Sequence, residues 1–279
     1  MEEQVVLITG CSSGIGRATA LEAARRGHRV FASSRRREDL SFLPSQRGVT
    51  ALLLDVTDAA SVARAVEAVL REAGRLDALI NNAGFGQYGA VEDVSPEEWR
   101  RQFDVNLFGA VVAIRAVLPA MRAARRGTIV NVSSVAGKIS IPFAAPYCAS
   151  KHALEALSDA LRVEVAPFGI RVVVVEPGPI STRFGETARE KVSGIIARPG
   201  PYSAFYPAAE RAMETDFTKG RLPPEAVARV ILRAVESSDP KPRYRVTRMA
   251  KVFLPLRRVL PDRFLDRRMK KLLRLPDRA

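Results

Sequence analysis

Hydrophobic positions along the chain alternate between short β-branched runs and stretches in which apolar residues recur every three to four positions. Val5 to Thr9 is a β-branched run ending at Gly10, and Gly14 to Arg26 then shows helical periodicity that stops at Gly27. Arg29 to Ser33 and Thr50 to Leu54 read as strands, Ala59 to Glu72 as a helix, and Ala78 to Asn81 as a strand. Pro96 suits the first turn of a further helix, because the donor it lacks would be unpaired there anyway, and the helical pattern continues through Leu107 to Met121. Thr128 to Val132 is a strand, Tyr147 to Val165 a helix, and Val172 to Val175 an apolar strand of the kind buried on both faces. Strands alternating with helices predict an α/β fold with a doubly wound parallel sheet. No linker or repeat divides residues 1–247, so they read as one domain.

Composition changes this picture only at the C-terminus. The chain is 47% hydrophobic and 27% charged with 18 Gly and 18 Pro, which excludes a disordered or collagen-like chain. Its net charge of +14 would by itself suggest a polyanionic partner. Residues 241–279, however, hold 14 Lys and Arg against three Asp, so +11 sits in the tail and only +3 in the body. In the 248–279 segment Met249, Val252, Phe253, Leu256, Val259 and Leu260, then Phe264, Leu265, Met269, Leu272 and Leu273, follow the helical period, with Pro255 and Pro261 expected to break it into short helices. Such a basic amphipathic segment can dock on its own core or on a neighbouring subunit, or lie peripherally on an anionic membrane. Nucleic acid is disfavoured, because the chain shows no recognition motif.

No run approaches the 18 or so apolar residues of a spanning helix, and Met1-Glu2-Glu3-Gln4 lacks the features of a signal peptide. The expected location is therefore cytoplasmic, with possible peripheral contact at a membrane. Cys11 and Cys148 sit within motif segments, so a structural disulfide is not expected, and His28 and His152 have no metal-ligand spacing. His28 reads as an exposed turn residue.

Thr9-Gly10-Cys11-Ser12-Ser13-Gly14-Ile15-Gly16 follows the first strand and opens the first helix. Glycines there let the backbone approach a pyrophosphate, whose charge the free N–H groups and positive dipole end of the helix stabilise. This context makes the turn a dinucleotide site and the fold a Rossmann type. The end of the second strand, Ala32-Ser33-Ser34-Arg35-Arg36, has no carboxylate for the ribose hydroxyls of NAD(H). Arg35, beside Ser34, can instead meet the 2′-phosphate of NADP(H), with Ser12 as a further donor, unless Arg35 to Arg37 are simply solvated loop charges. NADP(H) is thus favoured over NAD(H). Asp55, followed by Val56, closes the third strand where an adenine edge would lie, and Asn81-Asn82-Ala83-Gly84 closes the fourth beside the cofactor.

Tyr147 and Lys151 are four residues apart on a predicted helix and share one face. A nearby ammonium would lower the phenol pKa and let the tyrosine exchange a proton with an alcohol or carbonyl oxygen during hydride transfer. Ser134 at the end of the fifth strand can bond the same oxygen, and Asn106 can hold a water that relays protons to Lys151. The glycine turn, Asn81-Asn-Ala-Gly84, Asn106, Ser134, Tyr147-x3-Lys151 and Pro177-Gly178-Pro179-Ile180-Ser181-Thr182, in this order, resemble the short-chain dehydrogenase/reductase family over roughly residues 4 to 247. The resemblance implies a catalytic tetrad of Asn106, Ser134, Tyr147 and Lys151. It also implies a nicotinamide ribose held by Tyr147 and Lys151, a carboxamide bordered by Pro177, Gly178, Ile180 and Thr182, and a homodimer or homotetramer. Thr9 to Gly16, Ala32 to Arg35, Tyr147-Cys-Ala-Ser-Lys151 and Pro167-Phe-Gly169 resemble the branch containing 17β-hydroxysteroid and retinol dehydrogenases.

About 40 residues, Arg183 to Leu222, separate the sixth strand from the next helix, a length typical of a lid. Phe184, Ile195, Ile196, Tyr202, Phe205, Tyr206, Met213 and Phe217 there, with Ile139 to Phe143 and Phe85 to Tyr88, suit a bulky hydrophobic ketone, aldehyde or alcohol, or else pack a helical lid. The expected activity is NADP(H)-dependent interconversion of a hydrophobic carbonyl compound and its alcohol. The alternatives are a non-catalytic NADP(H)-binding sensor or scaffold, and a peripheral membrane protein acting through its tail.

Overall fold

The computed structural model describes residues 2–42, 48–182, 200–215, 220–257, 259–273 and 275, with the backbone alone at 212–215. Seven strands, β1 (Val5–Ile8), β2 (Arg29–Ser34), β3 (Val49–Leu53), β4 (Ala78–Asn81), β5 (Gly127–Val132), β6 (Ile170–Glu176) and β7 (Arg243–Arg245), form one sheet in the order β3-β2-β1-β4-β5-β6-β7. Every pairing is parallel. The helices are α1 (Gly14–Arg25), α2 (Ala59–Ala73), α3 (Pro96–Phe103), α4 (Gly109–Ala123), α5 (Ala145–Val165), α6 (Tyr206–Thr215), α7 (Pro224–Glu236), α8 (Arg248–Arg257) and α9 (Asp262–Leu272).

The alternation of side chains along each strand sorts the core into two layers. Val6 and Ile8 of β1 pack with Ala20 and Ala23 of α1 and with Ile231 and Leu232 of α7. Val5 and Leu7 face the other way, onto Val62 and Val66 of α2, Ile114 and Val117 of α4 and Leu161 of α5. Because β1 and β2 run toward one edge and β4 to β6 toward the other, the strand order reverses between β1 and β4. In an open parallel sheet the crevice at the carboxyl ends beside such a reversal is where ligands bind.

Two sequence expectations need correction, and one strand was not expected. Residues Pro96–Ala123 form one 28-residue helical stretch that is long and apolar enough to cross a bilayer, contrary to the sequence reading. Here Ala113, Ile114, Val117 and Met121 from it pack on the sheet, which makes it a core helix. His28 is buried rather than exposed: its Nδ1 faces the Gln4 amide at 3.2 Å and its Nε2 faces Glu236 at 3.0 Å. β7 has no counterpart in the sequence reading, because Arg-Tyr-Arg does not look like a strand. Its Arg243 reaches Glu155, Asp159 and Glu176, so carboxylates rather than apolar groups receive its side chain.

The tail packs on the body. Ala250 and Leu254 of α8 lie against Val135 and Ile139, and Leu273, after α9, lies against Ala209. Pro261 occupies the position before α9, whereas Pro255 is accommodated inside α8. Cys11 and Cys148 are both free and buried.

Candidate active site

The turn after β1 is held by side chains from the strand beside it. Thr9 Oγ1 donates to the Ile80 carbonyl at 3.3 Å and accepts from the amides of Asn82 at 3.0 Å and Ala83 at 3.1 Å. Asn82 Nδ2 returns two bonds, to the carbonyls of Thr9 at 3.0 Å and Gly10 at 2.9 Å. Thr9 and Asn82 therefore brace the turn against the end of β4. Gly10 has φ +73°, and a Cβ there would lie 2.7 Å from Ala83 Cα. At Gly16 a Cβ would lie 2.3 Å from the Gly10 carbonyl oxygen, so α1 can start this close to the turn only without a side chain. Ser13 takes the N-cap position of α1 yet makes no capping bond with its side chain, and no acidic residue occupies the first turn. The helix end retains the N–H groups that suit a pyrophosphate.

Arg35 is exposed immediately after β2. A carboxylate missed by the sequence reading does come near: Asp39 accepts from Ser34 Oγ at 3.3 Å and pairs with Arg36 at 2.9 Å. That carboxylate is already engaged by a neighbouring cation. Arg17 of α1 stacks over Phe42 at 4.1 Å, adding positive charge close to this loop. Asp55 accepts from the amide and hydroxyl of Thr57 through Oδ1, at 2.9 and 2.7 Å, and so shapes the bend after β3. Val56 and Ala83 line a polar cavity of ≈ 10 Å³ together with Thr9, Asn106 and Lys151, about the space of one water.

Tyr147, Lys151 and Ser134 converge from α5 and the end of β5. Ser134 opens the tight turn Val135–Gly137 and caps it, its Oγ accepting from the Ala136 amide at 3.1 Å. Burial pushes the Tyr147 phenol up to about 12, against the opposing effect of its hydrogen bond with Ser134. Lys151 Nζ donates to the Val132 carbonyl at 2.8 Å, and burial brings its pKa down to about 8, opposed by the charge of Glu155. The expectation that the ammonium lowers the phenol pKa is thus not met in this state. Desolvation is the largest cause of the shift, and Lys151 is turned to the strand carbonyl.

Asn106 sits in a π-helical turn, Asp104–Phe108, between α3 and α4. Its side chain is committed elsewhere: Oδ1 accepts from the Phe85 amide at 3.0 Å, while Nδ2 donates to the Phe85 carbonyl at 2.9 Å and Ser150 Oγ at 3.3 Å. Asn106 therefore clamps the loop after β4 to α5, and the side chain is occupied by that clamp.

The family profile described as short chain dehydrogenase matches residues 4–193. The chain belongs to the short-chain dehydrogenases. It is 41% identical over 267 residues to the oxidoreductase YbbO of Escherichia coli K12, covering 95% of this chain and 93% of that one. It is 38% identical to the 3-ketodihydrosphingosine reductase of Bacteroides thetaiotaomicron, covering 95% and 96%, and 36% identical to the NADPH-dependent 3-dehydrocapnine reductase of Ornithobacterium rhinotracheale, covering 94% of each. Among solved structures, a short-chain dehydrogenase from Streptomyces avermitilis superposes with a TM-score of 0.79 at 34% identity, covering 99% of each chain. A Burkholderia phymatum member in complex with NAD gives 0.79 at 26% identity, covering 96% and 95%. The protein is thus an oxidoreductase of a family that binds a nicotinamide cofactor.

In this dehydrogenase the turn after β6 also meets the site. The Val135 amide donates to the Pro177 carbonyl at 2.9 Å, tying the Ser134 turn to Pro177. A Cβ on Gly178 would lie 2.2 Å from Thr247 Oγ1, and one on Gly14 would lie 3.1 Å from Thr182, which places that turn opposite the glycine turn. Ile180 pairs with Leu222. The wall on the other side of Tyr147 is aromatic. Tyr88 stacks on it at 6.3 Å, and Phe143 meets Tyr202 at 6.4 Å and Tyr206 at 5.4 Å. Tyr206 anchors α6 by donating to Asp93 and accepting from the Ala90 amide at 2.9 Å. Phe184, Ile195, Ile196 and Phe217 lie outside the described residues, as does the Met213 side chain.

Sequence reasoning also missed the charged floor under Lys151. Glu155, one turn further along α5, pairs with Lys138 at 3.0 Å and Arg243 at 3.1 Å. The signal available was its i+4 spacing from Lys151, which puts all three side chains on the Tyr147 face.

Proposed function

We propose that the protein is an NADPH-dependent reductase of a long, apolar ketone. The observation that carries this reading is the Tyr147 hydroxyl, hydrogen-bonded to Ser134 on the face it shares with Lys151 and stacked on Tyr88. Such a phenol keeps its proton throughout the neutral range and can give it to a carbonyl oxygen. The lipid ketones named for two relatives, 3-ketodihydrosphingosine and 3-dehydrocapnine, favour a chain-bearing substrate over a compact one.

When bound, the cofactor supplies the hydride. The uncapped start of α1 would hold its pyrophosphate, with Ser12, Ser13, Gly14 and Ile15 nearest, and Arg35 would hold the 2′-phosphate, the Ser34 hydroxyl being engaged by Asp39. Asp55 and Val56 would border the adenine. Asn82, Ala83 and Gly84, with Pro177, Gly178, Ile180 and Thr182, would border the nicotinamide half. Ser134 would orient the ketone oxygen and Tyr147 would protonate it. Lys151 would supply positive charge beneath Tyr147, and because the Asn106 side chain is engaged, its backbone carbonyl is the group to hold the relay water.

The direct test is NADPH oxidation with 3-ketodihydrosphingosine, compared with short ketones, steroid and retinoid carbonyls, and with NADH in parallel. Turnover confined to short ketones, or faster with NADH, would overturn the reading. Arg35→Ala should weaken NADPH by about 2 kcal/mol, roughly thirtyfold, and leave NADH nearly unchanged. Isothermal titration of both cofactors measures this, and equal weakening would show that Arg35 does not read the phosphate.

The pKa of Lys151 gives the reaction a pH limit. Lowered to about 8, the lysine is charged below that pH and neutral above it. kcat/KM for NADPH, which reports the enzyme before cofactor binds, should be flat in the neutral range and fall as pH rises through about 8. Lys151→Arg stays charged, so whatever activity it retains should lack this decline. A wild-type profile flat to pH 10 would remove Lys151 from the proton-handling group.

A further inference from the structure

The apolar stripe of the tail, which the sequence left open between core packing and a membrane, divides between the two faces of the same helices. Ala250 and Leu254 of α8 and Leu265 of α9 turn inward and are buried. Their neighbours turn outward: Val252 is 63% exposed, Leu256 45%, Val259 76% and Phe264 46%. Val252 and Leu256 are four residues apart on α8, with exposed Lys251 beside them. On α9, Phe264 shares its face with exposed Arg267, Arg268 and Lys271 at helical spacing. Four large apolar side chains exposed within residues 252–264, next to a concentration of cations, suit an interaction surface.

We propose that the outer faces of α8 and α9 form a docking surface for an anionic bilayer. Residues 248–273 carry nine Lys and Arg against two Asp, and one of those Asp, Asp262, is paired with Arg257 at 3.0 Å. The cations suit phosphate headgroups, and Val252, Leu256, Val259 and Phe264 can enter the acyl boundary between them. A nucleic acid would satisfy the cations and leave the apolar groups in water. A second copy meeting this face would set two strongly basic surfaces against each other. The surface is also coupled to the site: α8 is buried against Val135 and Ile139, which follow Ser134, and Thr247 just before it touches Gly178. A docked bilayer would therefore be separated from the turn that carries Ser134 by α8 alone, a placement that suits delivery of an amphiphilic ketone.

The surface is tested without any substrate, so its failure is separate from failure of the reductase reading. Full-length protein is sedimented with vesicles of phosphatidylcholine alone and of phosphatidylcholine with phosphatidylglycerol, at low and high salt. Binding should require phosphatidylglycerol and weaken with salt. R267Q/R268Q should weaken it roughly twenty-fivefold, from about fivefold per lost charge, and V252D/F264D should abolish it. Unchanged thermal melting would show that these exposed substitutions leave the fold intact. No sedimentation with the anionic vesicles, binding indifferent to lipid charge, or full binding by V252D/F264D would each overturn the proposal. So would a smaller particle size for V252D/F264D than for wild type in solution where wild type itself binds no vesicles, which would assign the face to a second copy.

Discussion

Replacing Tyr147 by Phe is expected to lower ketone reduction by about a thousandfold, within the span of roughly 10²–10⁴ for a positioned general acid, while NADPH still binds. The ring is buried and stacks on Tyr88, so the phenylalanine keeps the packing and removes only the hydroxyl. Ser134 loses one partner, and its remaining bond from the Ala136 amide keeps its turn in place. The effect should therefore fall on kcat, with the dissociation constant for NADPH changed little. Single-turnover rates and fluorescence titration of NADPH separate the two. Residual turnover within about tenfold of wild type would show that another group, or water, protonates the oxygen.

Gly16→Ala should cause the largest loss in the cofactor half of the site. The added methyl would lie 2.3 Å from the Gly10 carbonyl oxygen and 2.5 Å from Asn82 Nδ2. The first of these is backbone, in a turn already fixed by four bonds with Asn82 and Thr9, so α1 must move away from β1. Overpacking of this kind costs about 3 kcal/mol, which corresponds to a melting temperature lower by roughly 5–10 °C. Moving α1 would also withdraw the amides proposed to face the pyrophosphate, so NADPH should no longer raise the melting temperature. Gly27→Ala is the contrast. At φ +83° with nothing within 4 Å of its added carbon, it should cost about 1 kcal/mol and leave the cofactor-induced shift intact. A normal cofactor shift in Gly16→Ala would show that the close start of α1 is not what the site needs.

The strands and helices as far as β6 were legible in the chain because parallel strands buried on both faces are continuously apolar and their helices keep a 3.6 period. The glycine turn, Ser134 and the Tyr147–Lys151 spacing were legible for the same local reason, since each depends on a few neighbouring residues. Contacts between distant segments were not. β7 is written Arg-Tyr-Arg, and only the fold brings Glu155, Asp159 and Glu176 to meet it. Asp39 is local, three and five residues from Arg36 and Ser34, but it reaches them through the tight turn Arg37–Leu40, which no hydrophobic period marks.

The electrostatics of the site belong to the tertiary level as well. From spacing alone, an ammonium four residues from a phenol should lower its pKa. Folding buries both groups and turns Lys151 toward Val132, so the phenol rises and the lysine falls. Likewise the period of the tail shows that its helices are amphipathic, but not which apolar residues the body covers. The sequence by itself determined the fold class, the cofactor turn and which side chains share the α5 face, because periodicity and short spacings are local. Only the tertiary structure decided the direction of the pKa shifts, the partners of Asn106 and Glu155, and the exposed half of the tail, because burial and charge depend on neighbours far away in the chain.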